Sequence, residues 1–186
     1  MDQVIGIASI SDVIKDDHRT IEELYSNIVN AADTKTQSCH QDALVWSLAR
    51  QCISEELIIF PALEAYVEDG KIIAQKDELE HEKIKEHLKL FESAQAGDAE
   101  FIHTLEALME LVNQHVSFEE RNDLVSLEAG LRASESEELA GDYQRMRKLI
   151  PVRGEADGAM QRGFDDVAAL FATPMDELRT SLKKLP

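Results

Sequence analysis

The chain is predicted to be all-α: an up-down four-helix bundle with further helices packed on it. Three observations predict this. Apolar residues recur with a helical period almost throughout, and β-type alternation is hard to find. Gly70, Gly97-Asp98 and Gly130 then divide the chain into long stretches joined by short connections, which makes neighbouring helices antiparallel.

The first helix is expected over residues 9–32, with Ile10, Ile14, Ile21, Tyr25 and Ile28 on one face. Residues 33–40 are polar and read as a loop. A second helix follows over residues 42–67. Pro61 inside it removes a backbone donor and crowds the preceding carbonyl, so a kink or one loosened turn is expected. Gly70 breaks the pattern. A third helix, residues 73–96, stops at Gly97-Asp98, and a fourth runs over residues 99–131 with Asp98 as its N-cap. Past Gly130 come a helix over residues 136–149 and a stretch punctuated by Pro151, Gly154, Gly158 and Gly163. Two short helical pieces close the chain, over residues 164–171 and 175–182, and this tail is expected to pack against one end of the bundle.

A length of 186 residues with 44% hydrophobic content suits one domain with a sizeable core. Residues 1–132 are assigned to the bundle and 133–186 to a C-terminal helical extension of the same domain. The formal charge of -18 argues against nucleic-acid binding, because phosphate readers gather Lys and Arg on one face. Cys39 and Cys52 make neither a disulfide framework nor a zinc pattern, which fits a reducing compartment. The start of the chain lacks the basic end and apolar run of a signal peptide, and no segment has a membrane-spanning length. A cytoplasmic protein is the expectation.

The stripes themselves carry the functional signal. Leu44, Leu48, Gln51 and Glu55 share a face, as do Asp77, His81, Ile84, Leu88 and Phe91, and Phe101, Leu105, Leu108, Val112, His115 and Glu119. His81 lies 16 residues before Gly97 and His115 lies 18 after it, so the two are level within about 3 Å along the axis. Counting about Gly70 brings Glu55 opposite His81, and across the first loop His18 falls level with Gln51 and Glu55. Burying such a layer costs several kcal/mol unless its groups are paired, protonated or metal-bound. Imidazole with carboxylate suits non-heme iron or manganese. The remaining histidines read differently: His40 falls in the expected loop, and His87 and His103 lie roughly 120° around from the ligand face, so all three are assigned to the surface.

The segments Asp17-His18-Arg19, Glu55 to Pro61, Glu80-His81-Glu82 and His115 to Glu120 resemble the hemerythrin-like HHE cation-binding domain over about residues 11–130, and the tail is similar in style to fungal members. The resemblance implies a bundle holding two irons, with His18, Glu55, His81, His115 and Glu119 as ligands. Gln51 departs from it, standing where that family has the second-helix histidine. A glutamine carbonyl is a weak neutral donor, so the half-site of His18 and residue 51 loses a nitrogen ligand. Asp77, one turn before His81, offers an extra carboxylate to the other metal without replacing the lost one.

Two function classes follow. In the first, preferred on the strength of Gln51, the metal has been lost and the old cavity binds a small apolar molecule with no cofactor. The reaction would be a cyclase or isomerase step, such as a Diels-Alder or other pericyclic reaction of a terpenoid or polyketide. Gln51, Glu55, His18, His115 and Glu119 would then be catalytic, and Cys52, Tyr25 and Val112 would contact the substrate. In the second, the chain is a genuine non-heme di-iron protein for iron, oxygen or nitric-oxide binding or sensing, with His18, Glu55, His81, His115, Glu119 and Asp77 on the metal.

Overall fold

The structure is a computed structural model and describes residues 8–152 and 163–185. Gly154 and Gly158 of the punctuated stretch, and the first seven residues, lie outside the described residues.

Helix α1, Ile10–Val29, is set by Ser9, whose hydroxyl accepts from the Asp12 N–H at 3.1 Å while the Asp12 carboxylate accepts from the Ser9 N–H at 3.3 Å. Such a reciprocal cap contributes about 1 kcal/mol and fixes where the helix begins. Helix α2, Thr34–Ser54, starts earlier than the expected residue 42, because Asp33 is an N-cap: its carboxylate accepts from the Thr36 N–H at 2.8 Å. The polar residues read as a loop are its first, solvent-facing turns, so His40 is helical and half-buried.

Past Ser54 the helix does not continue as α. Residues Glu55–Ile59 form a π-turn in which the Phe60 N–H reaches back to the Glu55 carbonyl, and α3, Phe60–Tyr66, follows with Pro61 in its first turn. The expected loosening is therefore present, placed just before the proline that lacks the N–H to close an α-turn. Helix α4, Gly70–Ser93, begins at Gly70 itself, where a side chain is excluded: a Cβ there would lie 1.8 Å from the Leu63 carbonyl oxygen. Gly97, at φ +95°, turns the chain into α5, Phe101–Phe118. Asp98 is not the N-cap expected of it. Glu100 occupies that position without a side-chain cap, and the Phe101 N–H bonds to the Asp98 backbone carbonyl at 3.1 Å, inside the turn. A second π-turn, Glu119–Asp123, leads into α6, Leu124–Gly130.

These helices pack as an up-down bundle. Its core joins Ile10, Ile14, Ile21 and Ile28 to Leu44, Leu48 and Ile53, to Ile84, Leu88 and Phe91, and to Phe101, Leu105 and Leu108. Each such side chain contributes roughly 1.5–3 kcal/mol on burial. At the Gly97 end, the buried Gln41 amide donates to the Phe91 and Ala94 carbonyls at 2.7 and 2.8 Å, satisfying the last turn of α4.

The C-terminal segment contains α7, Ala133–Leu149, α8, Val167–Ala172, and α9, Met175–Lys183. Helix α7 lies along the flank made by α1 and α2, not across one end of the bundle as expected. The reason is chemical. Ala140, Tyr143 and Met146 bury on that flank, Ser136 accepts from the Ile10 N–H at 2.9 Å, and Arg147 pairs with Asp17 at 2.8 Å. Among the described residues no helix is long and apolar enough to cross a membrane.

Candidate metal centre

Four elements bring their polar residues to one buried layer. His18 comes from α1, Gln51 from α2, His81 from α4 and His115 from α5, each at most 4% exposed. Glu55 and Glu119 each open one of the two π-turns. A π-turn holds one residue more than an α-turn, which widens the helix at the carboxylate, and such turns recur at functional sites.

On one side of the layer, Glu55 Oε2 lies 3.0 Å from His81 Nε2 and 3.5 Å from His115 Nε2, and the two imidazole nitrogens are 3.2 Å apart. Donors about 2.1 Å from a shared metal sit about 3.0 Å apart at right angles and about 3.4 Å apart at the tetrahedral angle. The triad has those separations. On the other side, His18 Nε2 faces Glu119 Oε2 at 3.3 Å, and His18, Glu55 and Glu119 offer donor atoms within 4.8 Å of one another. His18 Nε2, Glu55 Oε2, Glu119 Oε2 and Gln51 Oε1 are buried with no well-oriented hydrogen-bond partner among the described residues. Buried polar atoms are otherwise almost always satisfied, so inward donors without partners fit a cation among them.

Gln51 sits within this layer and donates its amide to Glu55 Oε1 at 2.9 Å. Asp77 is brought to the edge, grouped with Glu80 and His115 and bonded to Lys76 at 3.1 Å. The residues expected to contact a small molecule are not gathered here. Tyr25 is half-buried and lines an open surface groove with Met109, Ser117 and Arg121, whereas Cys52 and Val112 are in the apolar core. Burial, with Glu56 and Glu55 nearby, pushes the Cys52 thiol well up, so it is a packing residue. His40, His87 and His103 lie outside the layer; His103 is exposed, and His40 and His87 are half-buried.

The electrostatics depend on residues to which helical spacing assigns no role. Burial lowers the imidazole basicities, but the facing carboxylates outweigh it and raise His18, His81 and, most of all, His115. Burial also raises Glu55, yet the facing His115 and His81 imidazoles take it far below the usual carboxylate range. Glu119 is raised, by burial and by the charge of Glu55. Behind the rings, His18 Nδ1 meets Glu120 at 2.8 Å, His81 Nδ1 meets Glu56 at 3.0 Å and His115 Nδ1 meets Glu80 at 2.8 Å. The hydrogen bond from His115, against burial, holds Glu80 down to about 2. Each of these three glutamates adjoins a layer residue in sequence, and that adjacency is the signal that could have found them.

Asp123, one turn beyond Glu119, is 3% exposed, and its Oδ2 has no hydrogen-bond partner among the described residues. Burial and the nearby Asp77 raise its carboxyl to about 7. An unfolded aspartate titrates near 3.9, so between about pH 4 and 7 the fold holds a proton that the unfolded chain has released, and stability falls as pH rises through that window. In metal-free protein, Asp123→Asn should therefore stabilise by about 2 kcal/mol at pH 8 and by clearly less at pH 5. Urea unfolding midpoints at the two pH values measure this. An equal gain at both would contradict the assignment.

Comparison with known proteins agrees with this geometry. The hemerythrin HHE cation binding domain matches residues 9–125. The chain is 39% identical over 178 residues to an uncharacterized hemerythrin-like protein of Schizosaccharomyces pombe, covering 95% of this chain and 88% of that one. It is also 22% identical over 153 residues to a DNA nickase of Nostoc sp., covering 81% of this chain but only 43% of that protein. No solved structure gives a significant match.

Proposed function

Because the chain belongs to the hemerythrin HHE cation-binding family, we propose that it is an iron-binding protein whose two half-sites are unequal. One ferrous ion binds tightly to Glu55, His81 and His115, and a second binds weakly to His18, Glu119 and the shared Glu55. The observation that carries this reading is the triad of two imidazole nitrogens and one carboxylate oxygen at mutual distances of 3.0, 3.2 and 3.5 Å. Two histidines and one carboxylate are the donor set of non-heme iron sites with open positions. Those positions would admit oxygen or nitric oxide as a small ligand. The second half-site retains one nitrogen donor, His18, with Gln51 beside it.

The metal-free pocket reading now ranks second. It draws on Gln51 alone, since the groove lined by Tyr25 includes neither Cys52 nor Val112. DNA nicking is not carried over from the Nostoc relative: identity is 22%, and a formal charge of -18 opposes a phosphate backbone.

The test is anaerobic titration with ferrous iron, followed by desalting and elemental analysis. About one iron per chain should survive desalting, and a second should appear only at higher free iron. At a hundredfold excess over the dissociation constant the tight ion adds about 2.7 kcal/mol of stability, a rise in Tm of roughly 5–10 °C. Metal displaces the protons on the raised imidazoles, so affinity should climb with pH through their titration. No retained iron and an unmoved Tm would refute the proposal.

A further inference from the structure

Each of the three histidines in the layer is held from behind in the same way. His18 Nδ1 contacts Glu120 at 2.8 Å, and Glu120 is bound by the Arg19 guanidinium at 2.9 Å through both its oxygens. His81 Nδ1 contacts Glu56 at 3.0 Å, and Lys85 lies 2.6 Å from that carboxylate. His115 Nδ1 contacts Glu80 at 2.8 Å, and Lys76 lies 3.3 Å from it. The three sets of contacts draw on α1, α4 and both π-turns. Glu120 lies in the second π-turn with Arg19 on α1, Glu56 in the first π-turn with Lys85 on α4, and Glu80 and Lys76 both lie on α4.

An ionised carboxylate only accepts, so Nδ1 of each ring must carry the hydrogen, and Nε2 is left as the atom that faces the layer. That is the tautomer a metal needs at Nε2. A full charge behind the ring also makes Nε2 a stronger donor than a neutral acceptor would. The cation behind each carboxylate holds it in place, so the glutamate stays aimed at the ring. Phe60 packs on the His81 ring with centroids 5.1 Å apart, which limits ring rotation on that side.

We propose that Glu56, Glu80 and Glu120, anchored by Lys85, Lys76 and Arg19, are positioning residues that select the Nε2-donor form of His81, His115 and His18. Glu56 and Glu80 serve the tight ion, and Glu120 serves the weak one. This inference rests on the metal-binding reading above. It assigns three further residues to the site and predicts how their effects divide between the two ions.

The experiment uses cobalt(II) as the probe on the full chain, with affinities from chelator competition and coordination followed by the visible d–d spectrum. Glu56→Gln and Glu80→Gln should each weaken the first cobalt by about 10- to 100-fold, the range for carboxylates behind metal-bound histidines. Glu120→Gln should leave the first ion unchanged and weaken the second. Glutamine keeps the size and an acceptor oxygen, and Lys85→Met, which leaves the contacts of the three histidine rings in place, should still weaken the first ion several-fold. First-ion affinities and spectra equal to the parent in both Glu56→Gln and Glu80→Gln would overturn the inference. A lowered Tm of metal-free protein with parental affinity would likewise show plain ion pairs. Failure of the parent to take up any cobalt would instead sink the metal reading itself.

Discussion

Glu55→Gln is expected to abolish metal retention in both halves of the layer, because one carboxylate serves both. Its Oε2 faces His81 and His115 on one side, and the same residue groups with His18 and Glu119 on the other. Glutamine at this position fills nearly the same space, so the change removes charge and a strong oxygen donor without opening a cavity. Loss of a direct ligand should exceed the roughly 100-fold that marks the upper range for indirect partners. The metal-free fold changes as well. Burial works against the Glu55 charge, but the facing His115 and His81 imidazoles outweigh it, so its folded pKa is depressed and its stabilisation is present above about pH 4.5. That stabilisation is lost as pH falls. The variant should therefore be less stable than the parent near neutral pH, by about 1–3 kcal/mol, and the gap should narrow in acid. Stoichiometric iron surviving desalting in Glu55→Gln would contradict the shared-carboxylate geometry.

What the sequence disclosed follows from what helical spacing can report. Period and punctuation locate residues on a face and at a level, and that was enough to bring His18, Gln51, Glu55, His81, His115 and Glu119 together. Spacing reports poorly on what lies beside a face. Glu56, Glu80 and Glu120 stand about 100° around from their neighbours in the layer, a direction that on an isolated helix points to solvent. They meet the histidines only because each ring reaches outward through its Nδ1 to a glutamate on a neighbouring element. The π-turns were half legible: Pro61 announced the first, whereas nothing in Glu119–Asp123 marks the second. The start of α2 is obscured by the polarity of residues 34–40, which resembles a loop, although Asp33 at the N-cap is the stronger signal. The positions named as substrate contacts are likewise set by what lies beside a face. Tyr25 shares the apolar stripe of α1, but two turns past His18 the stripe has left the layer and runs beside a surface groove on α5.

Gln51→His is expected to convert the weak half-site into a tight one. The Gln51 amide faces an ionised carboxylate, which only accepts, so the end pointing at Glu55 Oε1 is the nitrogen, at 2.9 Å. Glutamine at this position has two consequences for a second metal. It removes the imidazole donor that would partner His18, and it engages the Glu55 oxygen that would otherwise be free to bridge. Histidine reverses both at once, supplying a nitrogen while releasing that oxygen. Affinity for the second ion should rise by on the order of 100-fold, with the first ion changed by no more than a few-fold. Iron retained through desalting should then go from about one per chain to about two. Gln51→Leu separates the two consequences, because it frees the Glu55 oxygen but adds no donor. If the second ion binds Gln51→Leu more tightly than the parent, the amide acts mainly by occupying Glu55; if binding is no better, the missing nitrogen dominates. A histidine variant that still keeps a single tight iron would mean that Gln51 is not what makes the two half-sites unequal. The cause would then have to lie in the Glu119 carboxyl, which burial and Glu55 hold toward its protonated form.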